Sequence, residues 1–104
     1  MVCALTVRTL KPGSFDDFRE AFMSMNDPGN PPEGWVRFNM IRNRENPDEV
    51  ICFGFFEGTA EQLRENAQHD GYQEQQRKIE PYVESVGADG LYEVVEEYAV
   101  TPTG

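Results

Sequence analysis

The stretch WVRFNMIRNRENPDEVICFGFFE, residues 35–57, predicts two antiparallel strands joined by a turn. Its first part alternates between two rows of side chains, an apolar row of Val36, Phe38 and Met40 and a mixed row of Trp35, Arg37 and Asn39. The central NPD sequence is typical of a turn. Val50–Glu57 is apolar at nearly every position, which is the pattern of a strand covered on both faces. Two strand patterns around a short turn predict a β-hairpin.

Before the hairpin, the sequence predicts a strand and then a helix. Val2–Leu10 is rich in β-branched and apolar residues, and the KPGS sequence ends it. Ser14 is a good helix N-cap, with Asp17 at the capping-box position. One face of the predicted helix then carries four apolar residues, Phe15, Phe18, Phe22 and Met25. The three prolines and two glycines of Asn26–Gly34 predict a loop.

After the hairpin, the sequence predicts two helices and a last strand. Thr59 is an N-cap with Gln62 as its capping-box partner, and Asp70 is the expected N-cap of the second helix. Pro81 should end or kink that helix because it lacks a backbone N–H donor. The GADG sequence predicts a further break, and Leu91–Val100 alternates as a strand. Residues 101–104 are expected to form a frayed tail.

The predicted order is β-α-β-β-α-β, the arrangement of an α+β ferredoxin-like fold with a four-stranded antiparallel sheet. The chain of 104 residues is expected to form one domain. Helices would cover one face of such a sheet, yet the first and third strands are apolar on both faces. We therefore expect a second copy of the chain to cover the other face, in a homodimer.

Charge and cysteine content exclude several classes of function. The net charge is −10, from 19 acidic and 9 basic residues, and such a surface repels nucleic acid and anionic lipid. Cys3 and Cys52 form no C-x-x-C pair and predict neither a metal site nor a redox motif. No apolar run approaches the roughly 20 residues that span a bilayer, and no secretory signal pattern is present. These features predict a cytoplasmic protein without nucleic-acid or membrane partners.

Three segments resemble the antibiotic biosynthesis monooxygenase family of dimeric α/β-barrel proteins, and the resemblance covers nearly the whole chain. The segments are VRTLKPGSFDDFREAF, GWVRFNMIRNRENPDEVICFGFFEG and HDGYQEQQRKIEPYV. The resemblance implies a homodimer whose two sheets form a barrel, with a pocket between helices and sheet in each subunit. It also implies a cofactor-free oxygenase acting on a small aromatic molecule of the quinol, anthrone or polyketide type.

The family's site residues correspond to different residue types in this chain. Anthrone-type members carry Asn and Trp on the third strand, where this chain has Cys52 and Phe56. Haem-degrading members carry Asn, Trp and a His ligand, where this chain has Thr6, Asn66 and Gln76. The haem ligand is missing, so no cofactor is predicted.

Strand alternation divides the residues around these positions between two faces of the sheet. If Thr6 and Cys52 face the pocket, the same side carries Ala4, Arg8, Gly54 and Phe56. The opposite side, expected to face the second subunit, then carries Cys3, Leu5, Val7, Ile51, Phe53 and Phe55.

Six further residues are candidates for the site. His69 lies just before a predicted helix N-terminus, which disfavours its cationic form, so it fits either a general base or a solvent-facing loop residue. Tyr72 fits either the core or a pocket wall whose hydroxyl meets a substrate oxygen. Trp35 fits an anchor or a stacking surface. Arg37 and Asn39 fit an exposed strand edge or hydrogen-bond donors at a pocket rim, and Arg8 fits the same two roles.

Two functional hypotheses follow. In the first, the protein is an oxidoreductase in which His69 and Tyr72 act on a small aromatic substrate bound by Thr6, Trp35 and the other residues of the predicted pocket. In the second, the protein is a catalytically silent dimer that binds a small apolar ligand or serves as an interaction module. The residues alone do not name a substrate.

Overall fold

The computed structural model describes residues 1–24, 33–67 and 70–100, with side chains described for all of these except 66, 67 and 70–72. Four strands and three α-helices follow one another as β1 Val2–Leu10, α1 Phe15–Ser24, β2 Trp35–Arg42, β3 Glu49–Phe56, α2 Ala60–Ala67, α3 Asp70–Ile79 and β4 Val83–Glu93. The strands form one antiparallel sheet in the order β2-β3-β1-β4. The predicted ferredoxin-like order and four-stranded sheet are confirmed.

The central hairpin forms where the sequence predicts it, and two asparagines fold its turn. The Asn43 side-chain oxygen accepts hydrogen bonds from the backbone N–H groups of Glu45 and Asn46, at 2.8 and 3.3 Å. The Asn46 side-chain oxygen accepts one from the N–H of Asp48 at 3.1 Å. Short asparagine side chains thus provide the turn with acceptors that the backbone alone lacks.

A β-bulge at the start of β2 changes the predicted grouping of its side chains. Trp35 pairs with Phe56, whereas Arg37 pairs with Phe55, so Val36 is an extra residue on β2. The bulge moves Trp35 onto the face that carries Phe38, and the two ring centroids lie 4.5 Å apart. The expected row of Trp35, Arg37 and Asn39 is therefore wrong, because one inserted residue reverses strand alternation.

The helices cover one face of the sheet and form two cores there. The larger core joins Leu10 and Val50 of the sheet to Phe18 of α1 and Ile79 of α3, each at most 1% exposed. A smaller core, at the other ends of β1 and β3, is made by Val2, Phe56 and Leu63 of α2. We call this face of the sheet the helix-facing side. No described helix is long and apolar enough to cross a membrane.

The capping box predicted at the start of α2 is present. The backbone N–H of Thr59 donates to the Gln62 side-chain oxygen at 2.9 Å, and the N–H of Gln62 donates to the Thr59 hydroxyl at 3.1 Å. Such reciprocal bonds satisfy two donors that a helix N-terminus leaves unpaired. Two related predictions, Met25 on the apolar face of α1 and the cap at Asp70, lie outside the described residues and side chains.

The last strand is displaced relative to the prediction. We expected Leu91–Val100, but β4 spans Val83–Glu93, and residues 94–100 form no helix or strand. Pro81 does end α3, through one 3-10 turn, and the chain enters the sheet directly afterwards. The GADG sequence lies inside β4, where the pairing with β1 shifts register twice. Bulged strands tolerate glycine, so these glycines did not mark a break. Residues 101–104 lie outside the described part of the chain.

The other face of the sheet, which we call the open face, is mostly apolar along the two central strands β1 and β3. It carries the residues that alternation assigns to it, Cys3, Leu5, Val7, Ile51, Phe53 and Phe55. The rings of Phe53 and Phe55 meet edge to face at 6.0 Å. None of the six belongs to either core of the described residues.

Candidate functional site

Four of the predicted substrate-binding residues lie together on the helix-facing side. Thr6 of β1 pairs with Cys52 of β3, and Phe56 lies four residues further along β3 on the same side. The bulge at Val36 brings Trp35 beside Phe56, with ring centroids 5.4 Å apart in an edge-to-face arrangement. The helix-facing side is therefore the part of the sheet where the predicted pocket residues converge.

Arg37 and Asn39 lie on the open face, apart from those four residues. Arg37 pairs with Phe55, and its guanidinium carbon is 4.8 Å from the centre of that ring. Asn39 pairs with Phe53. Because neighbouring residues in register share a face, neither side chain reaches the side on which Cys52 lies.

The two predicted catalytic residues are not placed by the structure. His69 lies outside the described residues, and Tyr72 belongs to α3 but its side chain is not among those described. Their roles as base and hydrogen-bond donor stay predictions. The approach of α3 to the helix-facing side is described through Ile79, at the far end of the same helix.

An aromatic cluster of Trp35, Phe38 and Phe56 surrounds Gly54 on the helix-facing side. A Cβ atom at Gly54 would lie 2.8 Å from a ring carbon of Trp35 and 2.8 Å from one of Phe38. Carbon atoms in contact are normally separated by about 3.5–4.0 Å. The two rings therefore lie directly on the backbone of β3, at a position that only glycine leaves free.

Arg8 is the buried charged residue of the helix-facing side. Its side chain is 6% exposed, and its guanidinium carbon lies 5.8 Å from the centre of the Phe18 ring. Among the described residues, its Nη1 atom has no hydrogen-bond partner, and that atom has no contact with solvent. The Cys52 thiol is the side chain that interacts with the guanidinium by a hydrogen bond. Within the described part of the chain, Arg77 and Glu74 form the one ion pair, so Arg8 has no carboxylate partner there.

A small cleft opens beside Arg8. Its volume is about 170 Å³, and its walls are formed by Arg8, Gln76, Ile79, Glu80, Val83 and Val86. One of the two register shifts of β4 occurs here, since Thr6 pairs with Asp89 but Arg8 pairs with Val86. The extra residue bends β4, and such bulges are frequent beside active sites.

Cys52 contributes a protonated thiol to this side of the sheet. Burial raises the pKa of the Cys52 thiol, and the neighbouring Arg8 guanidinium opposes that rise without cancelling it. A thiol with a raised pKa carries little thiolate at neutral pH and is a poor nucleophile. Cys52 is therefore suited to form a wall of a pocket. The described residues include no group of three or more His, Cys, Asp or Glu side chains that would hold a metal ion.

Thr6 has a fixed hydrogen bond across the sheet. Its hydroxyl donates to a carboxylate oxygen of Asp89 on β4 at 3.0 Å. Because the hydroxyl proton points to Asp89, the free lone pairs of the Thr6 oxygen are what it offers to a neighbouring molecule.

The solved structures similar to this chain share its fold over nearly its full length. One, from Deinococcus radiodurans, is assigned as an antibiotic biosynthesis monooxygenase; it superposes with a TM-score of 0.79 at 10% identity and covers 98% of this chain and 100% of its own. Another with that assignment, from Nitrosomonas europaea, has a TM-score of 0.77 at 12% identity, with 92% and 100% covered. SnoaB of Streptomyces nogalater, described as a cofactor-independent oxygenase, has a TM-score of 0.76 at 15% identity, with 92% and 94% covered.

The chain has the fold of the antibiotic biosynthesis monooxygenases. The resemblance predicted from the sequence is thus confirmed for the architecture. No family model matches the chain, and no curated protein matches it. At identities of 10–15%, the likeness establishes the fold but not the chemistry, which has to be inferred from the site itself.

The burial of Arg8 differs from what the sequence predicts. The sequence leaves Arg8 as either an exposed edge residue or a donor at a pocket rim, on the same side as Thr6, whereas the structure buries it without a carboxylate partner among the described residues. The available indication was its position in VCALTVRTL, where it is the one charged residue of a strand predicted to be covered on both faces. A charge in such a strand requires a partner or loses hydration.

Proposed function

We propose that the protein is a cofactor-independent oxygenase that acts on a small aromatic substrate of the quinol, anthrone or polyketide type. The observation that carries the proposal is the cleft on the helix-facing side, which combines apolar walls with one buried guanidinium. Sites of this composition bind flat, weakly polar molecules and orient them through a few polar groups. The likeness of the fold to SnoaB, described as a cofactor-independent oxygenase, supports the same reading.

The proposed reaction needs little from the protein. A base removes a proton from an electron-rich phenol or anthrone, and the resulting anion transfers one electron to dioxygen. Recombination gives a peroxide that loses water, so one oxygen atom ends in the product carbonyl and the other in water. His69 is the proposed base, and Tyr72 is the proposed donor to the substrate oxygen.

The remaining proposed residues position the substrate. None of Trp35, Phe56, Thr6 and Cys52 lines the cleft beside Arg8. They lie on the same side of the sheet, where Trp35 and Phe56 are proposed as aromatic walls, and Thr6 and Cys52 as the floor, for the part of the substrate that extends beyond the cleft. Aromatic walls also exclude water, which would otherwise protonate the substrate anion before it meets dioxygen.

Oxygen uptake with a panel of quinols and anthrones tests the proposal. We expect oxygen uptake by the wild-type protein. Mass spectrometry should show a product that has gained one oxygen atom and lost two hydrogen atoms relative to the substrate. His69→Ala should lower the rate by about 100-fold or more, since a general base contributes roughly that factor. Met23→Ala, at an exposed position of α1, is the control and should leave the rate unchanged.

Two outcomes would change the assignment. Uptake that is unaffected by His69→Ala would remove His69 from the mechanism. The absence of uptake with every substrate would contradict the oxygenase proposal and favour the alternative, a catalytically silent module that binds a small ligand.

We further propose that the protein acts as a homodimer in which the open faces of two sheets meet. The six apolar residues of the open face support this, because they are only half-buried and belong to neither core. An uncovered apolar sheet face of this extent is typical of a protein interface. Arg37 and Asn39 lie on that face, so we propose that they contact the partner sheet.

A further inference from the structure

We infer that the cleft beside Arg8 binds the carboxylate of an aromatic monoanion, with the Arg8 guanidinium as its counter-charge. The inference names the charge of the substrate and so rests on the proposed function for its place in catalysis. As a binding site, the cleft stands on its own geometry.

Arg8 lacks a counter-charge within the described part of the chain. Arg8 carries a guanidinium cation, and only 6% of the residue is exposed. A buried charge without a partner is costly, and natural proteins retain one where a ligand or a partner group completes it. The chain has 19 acidic residues, yet no described one lies within ion-pair distance of Arg8.

The missing counter-charge is not expected from a second copy of the chain. Arg8 lies on the helix-facing side, in register with Val86, whereas the apolar residues proposed to meet a second copy lie on the open face. A sheet separates the two, so a group that reaches Arg8 enters from the cleft.

The walls of the cleft define the body of the ligand. Ile79, Val83 and Val86 are apolar, and the Phe18 ring lies against the other side of the guanidinium. The volume of about 170 Å³ is close to the roughly 150 Å³ of a cavity that holds one benzene ring. These dimensions fit a single ring that bears a carboxylate, so a substrate of several rings would place only its carboxylate-bearing ring in the cleft. A planar guanidinium also matches a carboxylate through paired N–H donors, which an ammonium group does not.

Glu80 limits the total charge of the ligand. It lies at the edge of the cleft and is exposed, while Arg8 is the cationic residue of the lining. A ligand with one negative charge is paired by Arg8, whereas a second negative charge would meet the Glu80 carboxylate. The site is therefore selective for a monoanion.

Binding of benzoate tests the inference in the absence of any turnover. Benzamide is the matched neutral probe, because it has the same ring and a similar planar head group without the charge. We expect benzoate to bind at least about tenfold more tightly than benzamide, with shifts of the methyl resonances of Ile79, Val83 and Val86 in NMR titrations. Equal binding of the two probes, or shifts elsewhere on the protein, would overturn the inference.

Two arginine variants locate the charge that is responsible. Arg8→Met should weaken benzoate binding at least about tenfold and leave benzamide binding unchanged. Arg42→Met removes the same charge from the same side of the sheet, at an exposed arginine stacked on Phe15 at 4.4 Å, and should leave benzoate binding unchanged. If both variants weaken benzoate binding equally, the effect comes from the net charge of the protein, and a specific site at Arg8 is contradicted.

The outcomes separate this inference from the proposed oxygenase. Benzoate binding through Arg8 without oxygen uptake on any substrate keeps the anion site and removes the oxygenase. Oxygen uptake without a preference for benzoate over benzamide supports the oxygenase and contradicts the anion site. If Arg8→Met does not fold, the comparison of the two probes on the wild-type protein alone decides.

Discussion

At the scale of single residues, Arg8 is a buried cation that works against the stability of the fold. Its Nη1 atom is buried without an acceptor, and its contact with Phe18 lies near the roughly 6 Å limit of a cation–π interaction. An unsatisfied buried donor costs about 1–3 kcal/mol, and functional sites commonly retain such costs. In the inferred site, an anion held in the cleft that Arg8 lines would supply the missing counter-charge.

We predict that Arg8→Met stabilises the protein in the absence of ligand. Methionine has a similar length and flexibility, and it replaces a desolvated charge by an apolar side chain. The free energy of unfolding should rise by about 1 kcal/mol in urea titrations.

Arg42→Met is the control for this measurement. Arg42 is exposed and stacks on Phe15, so its removal loses a surface cation–π contact of about 0.5 kcal/mol. The two substitutions should therefore change stability in opposite directions. A loss of stability in Arg8→Met would show that the guanidinium is already satisfied within the fold.

At the scale of elements, strand β3 contributes side chains to both sides of the sheet. Gly54 is the position of β3 where neighbouring rings leave no room for a side chain. The rings of Trp35 and Phe38 lie directly on its backbone because the bulge at Val36 turns Trp35 toward the helix-facing side. The aromatic cluster therefore depends on one glycine and one inserted residue in the neighbouring strand.

We predict that Gly54→Ala destabilises the protein by about 1–3 kcal/mol, the usual cost of inserting a group into a packed site. The new Cβ would lie 2.8 Å from both rings, so the rings must move. Gly87→Ala in β4 is the matched control, because its Cβ would meet only Val7 at 3.7 Å, an ordinary contact. Urea unfolding of both variants checks the prediction, and equal stability losses would contradict it.

The same elements show what the sequence could predict and what it could not. The hairpin and the α2 capping box were predictable because their determinants are local: turn residues between two apolar runs, and Thr59 with Gln62 three positions later. The bulge at Val36 and the displaced start of β4 were not, because both depend on pairing with a strand distant in sequence. A strand rich in glycine resembles a loop until its partner is known.

For the site residues too, the sequence predicts what depends on local pattern and not what depends on contacts between distant segments. Alternation along β1 and β3 predicted which residues share a side with Thr6 and Cys52. It could not predict that Arg37 and Asn39 belong to the other side, since the register between β2 and β3 decides this. It also could not predict the isolation of Arg8, which depends on which side chains the helices bring to it.

At the scale of the whole molecule, the two sides of the sheet differ in what packs against them. The helix-facing side has its own cores, made by Phe18, Ile79 and Leu63 of the helices. The open face presents Phe53 and Phe55 with no described helix against them. With a net charge of −10, unspecific association of the chains is opposed by repulsion, so a specific apolar contact is the expected route to a dimer.

We predict that Phe53→Glu converts a dimer into monomers. Phe53 lies on the open face on the central strand pair β3 and β1, opposite Leu5, so a carboxylate there would be buried unpaired between two sheets. Light scattering coupled to size-exclusion chromatography should give twice the mass of the chain for the wild type and the mass of one chain for the variant.

Met23→Glu adds the same charge to an exposed apolar position of helix α1 and should remain dimeric. Circular dichroism must show the native spectrum for both variants, because a misfolded chain would also lose the dimer. If Phe53→Glu does not fold, the wild-type mass still decides, since a wild-type protein with the mass of one chain would contradict the dimer. A folded Phe53→Glu variant that stays dimeric would instead move the interface away from the open face, leaving the six apolar residues there without the partner that the sheet pattern requires.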